Sequence, residues 1–206
     1  MIQVLGRNNS INVQKVMWCA AELGLDVERV DMGGEFGGIE TPEFLSLNPN
    51  RQIPVLIDGD FTIWESNAIV RYLCLQYDTA TWVPSCAKQQ GLAHQWMDWS
   101  LTSLHAAVST VFLQLIRTPV AERDPQLLAD AHDRSVKLLS MIDAQLEGKK
   151  FLLGDHICMA DIPIGCAAYR WHALEIDRPE LKNLERWYKR LSERPAFRSQ
   201  VMRPLT

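Results

Sequence analysis

The hydrophobic periodicity of the chain changes near Asp78, and this change constrains the fold more than any other feature. Before it, short apolar runs suited to buried strands alternate with segments of helical spacing. After it, only helical spacing remains. A chain of 206 residues is long enough for two small domains, each with a packed core. The sequence therefore predicts an α/β domain over residues 1–78 and an all-helical domain over residues 87–206.

The first domain is predicted to open with a βαβ unit. Residues 2–5 form a short apolar run suited to a buried strand, and residues 7–10 are polar and rich in turn formers. Apolar residues between positions 13 and 20 then fall on one helical face, and residues 27–32 have the pattern of a second strand. The crossover between two such parallel strands is expected to be right-handed.

A hairpin and two helices are predicted to complete this domain. An Asp-Gly turn at residues 58–60 separates apolar runs at 53–57 and 61–64, which is a strong hairpin signal. Residues 41–47 and 66–76 have the spacing of helices.

The second domain is predicted to contain helices alone. Residues 79–87, which include Pro84 and small polar residues, have the composition of a linker. The long periodic segment that follows could form a single helix. The predicted helices cover residues 86–117, 126–146, 159–174, 181–192 and 196–202.

The charge pattern excludes some classes of partner. The net charge is -4, with Lys and Arg scattered along the chain, so no basic stripe is available to bind a phosphate backbone. The N-terminus lacks the basic segment and apolar segment of a secretory signal, and no apolar run approaches the length of a membrane span. We expect a soluble, cytoplasmic protein that binds neither nucleic acid nor a membrane.

The cysteines indicate neither a disulfide framework nor a zinc site. Their number is odd, they form no C-x-x-C pair, and no His lies at metal-ligand spacing from them. We expect reduced structural thiols and no bound metal. The five residues are Cys19, Cys74, Cys86, Cys158 and Cys166.

The first candidate site is the loop before the first predicted helix. Ser10 and Asn12 lie where backbone N–H groups and the positive end of the helix dipole stabilise an anion. Ser and Asn are also preferred N-cap residues, so simple capping of the helix is the alternative.

Two further segments are ambiguous when each is taken alone. Pro54 lies just inside an apolar run, and such a Pro is tolerated at an edge strand, a bulge or a cis bond facing a ligand. Ser66 precedes a helical segment, where it could cap the helix or hold a carboxylate, while Glu65 could face an ammonium group. A capped helix with a solvated Glu is the alternative.

The order and spacing of these segments resemble the cytosolic glutathione S-transferases over nearly the whole chain. NPNRQIPVL is similar to the family's NPxGxVPxL segment, and WESNAIVRYL to its ES-x-AI-xx-YL segment. GDHICMADIPIG resembles its G-x-x-x-(S/T)-x-A-D element, and ERPAFRSQVM resembles its closing helix. The likeness is to bacterial members and to the theta, phi and nu classes.

The resemblance implies a thioredoxin-like βαβ-ββα domain followed by an all-helical domain, with Pro54 preceded by a cis bond. By position, the main chain of Ile53 would pair with the cysteinyl backbone of glutathione. Ser66 would bind the γ-glutamyl carboxylate and Glu65 would face the γ-glutamyl amino group. Gln52 is a further candidate donor to the tripeptide.

The chain departs from the family pattern at two positions. Arg51 replaces a usual Gly, which argues against a positive φ there, and its cation could bind a glutathione carboxylate or simply be exposed. Cys158 replaces a Ser or Thr that caps a helix, and a thiol is a weak acceptor. We expect Asp161 still to reach back to the start of that helix, as part of the folding architecture.

The residue that stabilises the glutathione thiolate has two candidates. Ser10 aligns with the catalytic Ser of theta-like and phi-like members, and the loop contains neither Tyr nor Cys. Asn12 is the rival, because the S-x-N-x-x-K-V spacing is similar to nu-like members, in which a Ser or Thr and an Asn contact the sulfur. Those members are associated with disulfide reduction, so the two assignments differ in reaction.

A pocket for a small hydrophobic electrophile is expected to be lined from the second domain. Candidates are Trp99, Ser103 and Trp171, although aromatic residues at helical spacing are more often core. The resemblance also implies a homodimer and a role in detoxification. Isomerase activity is less favoured because the zeta-like SSCSWRVR loop is absent. A non-catalytic binding module would have no need for polar groups at all the predicted site positions.

Overall fold

The computed structural model describes residues 1–78 and 81–206, so the predicted linker at residues 79–87 lies partly outside the described residues. The chain divides into two compact units. One contains Met1–Thr79 with Ala196–Arg203, and the other contains Ala80–Pro195 with Pro204–Thr206. Residues 196–203 pack with the first unit. The sequence-based division places them in the second domain.

The first unit contains a four-stranded mixed sheet. Its strands are β1 (Ile2–Leu5), β2 (Val27–Val30), β3 (Val55–Asp58) and β4 (Phe61–Trp64). Their order is β2-β1-β3-β4, with β1 parallel to β2 and antiparallel to β3. This arrangement confirms the α/β class, with β2 and β4 at the two edges.

Three helices accompany the sheet: α1 (Ile11–Glu22), α2 (Pro42–Leu47) and α3 (Ser66–Tyr77). The helices α1 and α3 pack against each other. Val13 and Val16 of α1 are completely buried, as the predicted apolar face requires. The ring of Trp18 meets Phe197 edge-to-face, with centroids 4.7 Å apart, which fixes the segment 196–203 to this unit.

The hairpin has the predicted turn but a later first strand. Asp58 pairs with Phe61 around a two-residue turn in which Gly59 has a φ of 61°. The strand begins at Val55, whereas the apolar run begins at Ile53. Pro54 explains the difference, because its nitrogen carries no hydrogen for a ladder bond.

The second unit is helical among its described residues. Its first helical stretch runs continuously over Ala87–Arg117, as α4 (Ala87–Trp99), a π-helical turn (Ser100–Leu104), α5 (His105–Phe112) and a second π-helical turn (Leu113–Arg117). The next three helices are α6 (Pro125–Gln145), α7 (Asp161–Ala173) and α8 (Lys182–Ser192). A last helix, α9 (Pro195–Gln200), follows. The predicted helices are present, and the π turns are additional.

The stretch Ala87–Arg117 corrects the expectation that nothing in the chain approaches a membrane span. It is 31 residues long and contains an 18-residue window with a mean hydropathy of 1.3, which is enough by length and composition alone. The sequence hides this feature because small and polar residues interrupt its apolar runs. A third of the window (33%) is buried, and core helices of soluble proteins pass the same test.

Asp161 organises the start of α7. Its Oδ2 accepts a hydrogen bond from the Cys158 backbone N–H at 3.0 Å, which confirms that it reaches back. Its Oδ1 accepts from the Leu152 N–H at 3.1 Å and from Trp187 Nε1 at 2.8 Å. Burial raises the pKa of this carboxyl to about 6, although these hydrogen bonds act to lower it. The residue belongs to the architecture of the helical unit.

Candidate active site

The loop between β1 and α1 brings the first candidate residues to a helix N-terminus. Gly6 ends β1 with a φ of 154°, and a Cβ there would lie 2.5 Å from Val13 Cγ2 and 3.2 Å from Ile53 Cβ. Only a residue without a side chain permits this approach. As a result, the loop lies directly against Ile53, a residue predicted independently for the site.

Ser10 is the N-cap residue of α1 by backbone geometry. It has a φ of -83° and a ψ of 122°, and its carbonyl accepts a hydrogen bond from the Gln14 N–H at 2.9 Å. Its side chain makes no cap hydrogen bond. The hydroxyl is half-buried, so the alternative in which it only caps the helix lacks its defining contact.

Asn12, Lys15 and Ser66 form a hydrogen-bonded cluster between the first turns of α1 and α3. Lys15 Nζ donates to Asn12 Oδ1 at 3.0 Å and to Ser66 Oγ at 3.5 Å. Ser66 Oγ also donates to Asn12 Oδ1 at 3.4 Å. Lys15 is 1% exposed and Ser66 is 3% exposed. Sequence reasoning missed Lys15, although its position three residues after Asn12 places both on one helical face.

The start of α3 differs from the expected cap. Glu65 is the N-cap residue and Ser66 is the first helical residue, so Ser66 is not the cap that the sequence allowed. Glu65 is exposed, has a φ of 72°, and makes no side-chain cap hydrogen bond. A non-glycine residue in this region costs on the order of 1–3 kcal/mol, and such residues cluster at ligand sites.

The peptide bond between Ile53 and Pro54 is cis, as the resemblance implied. Gln52 precedes it with an exposed side chain, and its carbonyl accepts a hydrogen bond from Asn48 Nδ2 at 2.8 Å. Ile53 itself is half-buried. The structure thus brings the predicted segment from Gln52 to Pro54 beside the loop that leads into α1.

Arg51 corrects a sequence-based inference. Its φ is 56°, so this position does require the positive value that Gly supplies in the family pattern. Among the described residues, Arg51 and Glu65 are the non-glycine residues with positive φ. The Arg51 guanidinium forms an ion pair with Glu40 at 2.9 Å, and both side chains are more than half exposed. The Arg51 side chain therefore pairs with another surface residue of the chain.

The candidates for the electrophile pocket have different environments within the second unit. Trp99 is half-buried and meets Trp96 edge-to-face at 5.1 Å. Ser103 is half-buried within the first π-helical turn, and such turns are frequent at functional sites. Trp171 is 1% exposed, which is the burial of a core side chain. Trp99 and Ser103 are therefore more accessible to a ligand than Trp171.

Two buried thiols lie close together in the C-terminal halves of α1 and α3. Cys19 Sγ and Cys74 Sγ are 3.6 Å apart and both residues are buried. Burial, followed by the hydrogen bond with Cys74, raises the pKa of the Cys19 thiol well above its usual value. This environment is that of a structural thiol. Within residues 1–78 and 81–206, no group of three or more His, Cys, Asp or Glu could hold a metal ion.

Comparison with known sequences relates both parts of the chain to one family. Residues 2–74 match the glutathione S-transferase N-terminal domain, and residues 101–195 match the C-terminal domain. The chain is 39% identical over 209 residues to glutathione S-transferase GstB of Escherichia coli strain K12, with both chains covered completely. It is 29% identical to glutathione S-transferase F10 of Arabidopsis thaliana, with 86% of each chain covered.

Solved structures agree with the sequence comparison. The theta-class glutathione S-transferase of Xanthomonas axonopodis pv. citri, with glutathione bound, superposes with a TM-score of 0.96 and 43% identity. The match covers 100% of this chain and 99% of that one. Together with the matched domains, this likeness shows the fold and the family of the chain. The chain belongs to the glutathione S-transferase family and is an enzyme that uses glutathione as its co-substrate.

Proposed function

We propose that this transferase stabilises the glutathione thiolate at the N-terminus of α1, with Ser10 as the principal hydrogen-bond donor. The observation that carries the proposal is the Ser10 hydroxyl, which lies at the N-cap without making the cap hydrogen bond. A capping serine accepts hydrogen bonds through its oxygen, so without this contact the Ser10 hydroxyl is not held against the first turn of α1 and can turn to donate to a ligand. The adjacent helix terminus adds a positive potential that favours an anion.

The chemistry requires such a donor. A free cysteinyl thiol has a pKa of about 8.5, so only a few per cent is thiolate at neutral pH. A hydrogen bond to a charged group contributes about 1.5–3 kcal/mol, which lowers the pKa by roughly one to two units. The thiolate then attacks a small hydrophobic electrophile, and we propose that Trp99 and Ser103 help to line its pocket.

The rest of the tripeptide is proposed to bind along the first unit. Ser66 would donate to the γ-glutamyl carboxylate at the N-terminus of α3, and Glu65 would accept from the γ-glutamyl amino group. The main chain of Ile53, before Pro54, would pair with the cysteinyl backbone, and Gln52 would donate to the peptide. The positive φ of Glu65 supports this assignment, because strained residues cluster at ligand sites.

Asn12 supports a second candidate function, the reduction of disulfides or peroxides by glutathione. Its amide oxygen accepts hydrogen bonds from Lys15 and Ser66, which leaves the amide NH₂ group to act as donor. An Asn donor at this spacing is the feature that resembles nu-like members. Under this proposal the thiolate attacks a disulfide sulfur, which breaks the S–S bond and releases the other sulfur as a thiolate, or it attacks a peroxide oxygen, which breaks the O–O bond and releases an alkoxide that takes up a proton. A second glutathione thiol then reduces the resulting mixed disulfide or sulfenic acid, and glutathione disulfide is the oxidised product.

A titration of thiolate absorbance in the binary complex tests these assignments. Ser10→Ala is expected to raise the pKa of bound glutathione and to reduce turnover by up to ~10²–10³-fold. Asn12→Ala is expected to have a smaller effect on both. Conjugation of an aryl halide and reduction of a mixed disulfide, measured on the same samples, separate the two reactions.

Ser140→Ala is a suitable control, because this exposed serine on α6 donates only within its own helix, to the Val136 carbonyl at 2.8 Å. A larger pKa rise in Asn12→Ala than in Ser10→Ala would reverse the assignment. If neither substitution moves the pKa, the backbone N–H groups of α1 stabilise the thiolate without a side chain.

We further propose that the enzyme is a cytoplasmic homodimer that detoxifies electrophiles. The net charge of -4, with charged residues dispersed along the chain, supports a soluble enzyme. Fractionation of cells that express the tagged protein tests the location, and recovery in the membrane fraction would contradict it.

A further inference from the structure

We propose that Lys15 is a positioning residue that orients the Asn12 amide and links it to Ser66, so that the two ends of the glutathione site are coupled. This inference rests on the proposed function, in which Asn12 faces the thiol and Ser66 faces the γ-glutamyl carboxylate. Lys15 is 1% exposed, and its Nζ lies within hydrogen-bond distance of both partners.

The first step concerns which atom of Asn12 faces outward. An ammonium group can only donate hydrogen bonds, so the Asn12 atom 3.0 Å from Lys15 Nζ must be the amide oxygen. The Ser66 hydroxyl donates to the same oxygen at 3.4 Å. Because the amide nitrogen lies on the opposite side of the group, Lys15 makes Asn12 present its NH₂. Without Lys15, a rotation of the amide would present an acceptor, which repels a thiolate.

The second step concerns polarisation. A cation that is hydrogen-bonded to an amide oxygen withdraws electron density and makes the amide N–H groups stronger donors. The low dielectric around a buried lysine increases this effect. Lys15 therefore holds the Asn12 amide in place and also acts on the thiolate through this amide. Asn12 and Lys15 are three residues apart on α1, so the helix itself fixes their separation.

The third step concerns the carboxylate end. Ser66 Oγ lies 3.4 Å from Asn12 Oδ1, and because an amide oxygen can only accept, the Ser66 hydroxyl is the donor of this pair. Binding of a carboxylate would draw the hydroxyl proton toward the ligand, and Asn12 would lose one of its two donors. Lys15 remains as the other donor and adds positive charge beside Ser66, 3.5 Å away. The γ-glutamyl carboxylate and the thiolate are thus stabilised by one buried cation.

The test compares Lys15→Met, Lys15→Gln, Asn12→Ala and the double variant Asn12→Ala/Lys15→Met. Met has a similar volume and fills the buried site without charge, whereas Gln keeps a donor. We expect Lys15→Met to raise the pKa of bound glutathione by about 0.5–1 unit. We also expect it to weaken glutathione binding about tenfold in calorimetry. Lys15→Gln should recover part of the pKa change.

The double variant tests whether Lys15 changes the pKa of bound glutathione through Asn12. Its rise in pKa should be smaller than the sum of the two single rises, because the group through which Lys15 acts is absent. Lys88→Met is the matched control, since Lys88 is an exposed lysine on α4 and should leave both measurements unchanged. Circular dichroism and the thermal midpoint establish that each variant is folded.

Three outcomes would overturn the inference. An unchanged thiol pKa in folded Lys15→Met, with a raised pKa in Asn12→Ala, shows that Lys15 does not act through Asn12. Fully additive rises in the double variant show the same. An unchanged pKa in Asn12→Ala removes Asn12 from the thiolate and leaves the Ser10 proposal intact. By contrast, if the glutathione thiol has the same pKa in the wild-type complex as in solution, the proposed function itself is wrong.

Discussion

Glu65 and Ser66 are expected to contribute to glutathione binding more than to the reaction of bound glutathione, because both face the remote γ-glutamyl end. Replacing either by Ala should weaken glutathione affinity about tenfold or more, since a charge-assisted hydrogen bond is lost. Turnover at saturating glutathione should change by less. Isothermal calorimetry gives the affinity and steady-state kinetics give the turnover.

Ser192→Ala and Glu193→Ala are the matched controls for this pair. Ser192 donates only to the Lys189 carbonyl at 2.8 Å, at the end of α8, and Glu193 is exposed next to it. Both controls should bind glutathione as the wild type does. Unchanged affinity in Glu65→Ala and Ser66→Ala would show that the γ-glutamyl end binds elsewhere.

Asp161 gives the fold a specific pH dependence. Its pKa is raised by burial from 3.8 to about 6, so the folded state binds a proton more tightly than the unfolded chain. A group of this kind stabilises fully below pH 4 and loses its contribution as the pH rises to about 6. The rise corresponds to about 3 kcal/mol, so Asp161→Asn should gain roughly that much stability relative to wild type between pH 4 and pH 7.

Urea unfolding at several pH values measures this difference. The variant is expected to be destabilised at every pH, because an amide nitrogen replaces one acceptor for the Cys158, Leu152 or Trp187 donors. The diagnostic quantity is the slope of the difference with pH. A difference that is constant from pH 4 to pH 7 would mean that Asp161 is ionised at its ordinary pKa.

Single residues also show where sequence reasoning stops. An Arg in place of Gly at position 51 argues against a strict need for positive φ, but the turn imposes a φ of 56° on this residue. The S-x-N-x-x-K-V spacing includes Lys15, but it does not show that this lysine is buried, and a lysine in a helix is usually solvated. Its contact with Ser66 joins residues that are 51 positions apart in the sequence. The φ of Arg51 and the burial of Lys15 are set by the folded structure, whereas Ser10, Asn12, Glu65 and Ser66 are candidates that the spacing of the sequence already indicates.

Helix caps provide a test at the level of single elements. Asp124 caps α6, where its Oδ1 accepts from the Gln126 N–H at 2.9 Å and from the Leu127 N–H at 3.0 Å. Asp124→Ala should cost about 1 kcal/mol, which is a decrease in thermal midpoint of about 2–4 °C. Ser10→Ala should cost little, because the Ser10 side chain makes no cap bond to α1.

The variants Asp124→Ala and Ser10→Ala therefore distinguish a capping role from a catalytic role. Differential scanning calorimetry gives the stability of both variants, and a conjugation assay gives their activity. We expect Asp124→Ala to be less stable and fully active, and Ser10→Ala to be stable and impaired. A Ser10→Ala enzyme that is destabilised as much as Asp124→Ala would indicate that Ser10 is a structural cap.

Most elements follow from local patterns, and the exceptions have local causes. The hydrophobic periodicity locates each helix to within one or two residues at most ends, because burial of an apolar face is what stabilises it. The strand β3 begins two residues late because Pro54 cannot donate to the ladder. The π-helical turns at Ser100–Leu104 and Leu113–Arg117 do not follow from the sequence, because apolar spacing indicates a helix without specifying the hydrogen-bond pattern of each turn.

At the scale of the whole molecule, the sequence predicted two parts of different class but not the packing of the C-terminal segment. The helical pattern at residues 196–202 is like that of the preceding helices. Its assignment to the first unit depends on contacts such as that between Trp18 and Phe197, which are far apart in the sequence. A local pattern does not show which other elements a helix packs against.

Exposed apolar groups on the edge strand β4 support the proposed homodimer. Phe61 is 42% exposed and Trp64 is 37% exposed, and the Phe61 ring lies 4.8 Å from that of Tyr72. An apolar edge strand left in water is prone to associate, so proteins usually cover it. A second copy of the chain would do so in an arrangement with two-fold symmetry.

We therefore expect a dimeric mass in light scattering at micromolar concentration, and a shift toward monomer in Phe61→Glu. A carboxylate at this position would be desolvated in the interface without a partner charge, so its burial opposes association. Met141→Glu is the control, because Met141 is 52% exposed on α6 and the same change there should leave the mass unaltered. A monomeric wild type would contradict the dimer itself. If Phe61→Glu remains dimeric, the protein is a dimer but β4 does not form its interface, because a carboxylate buried at that edge would weaken association.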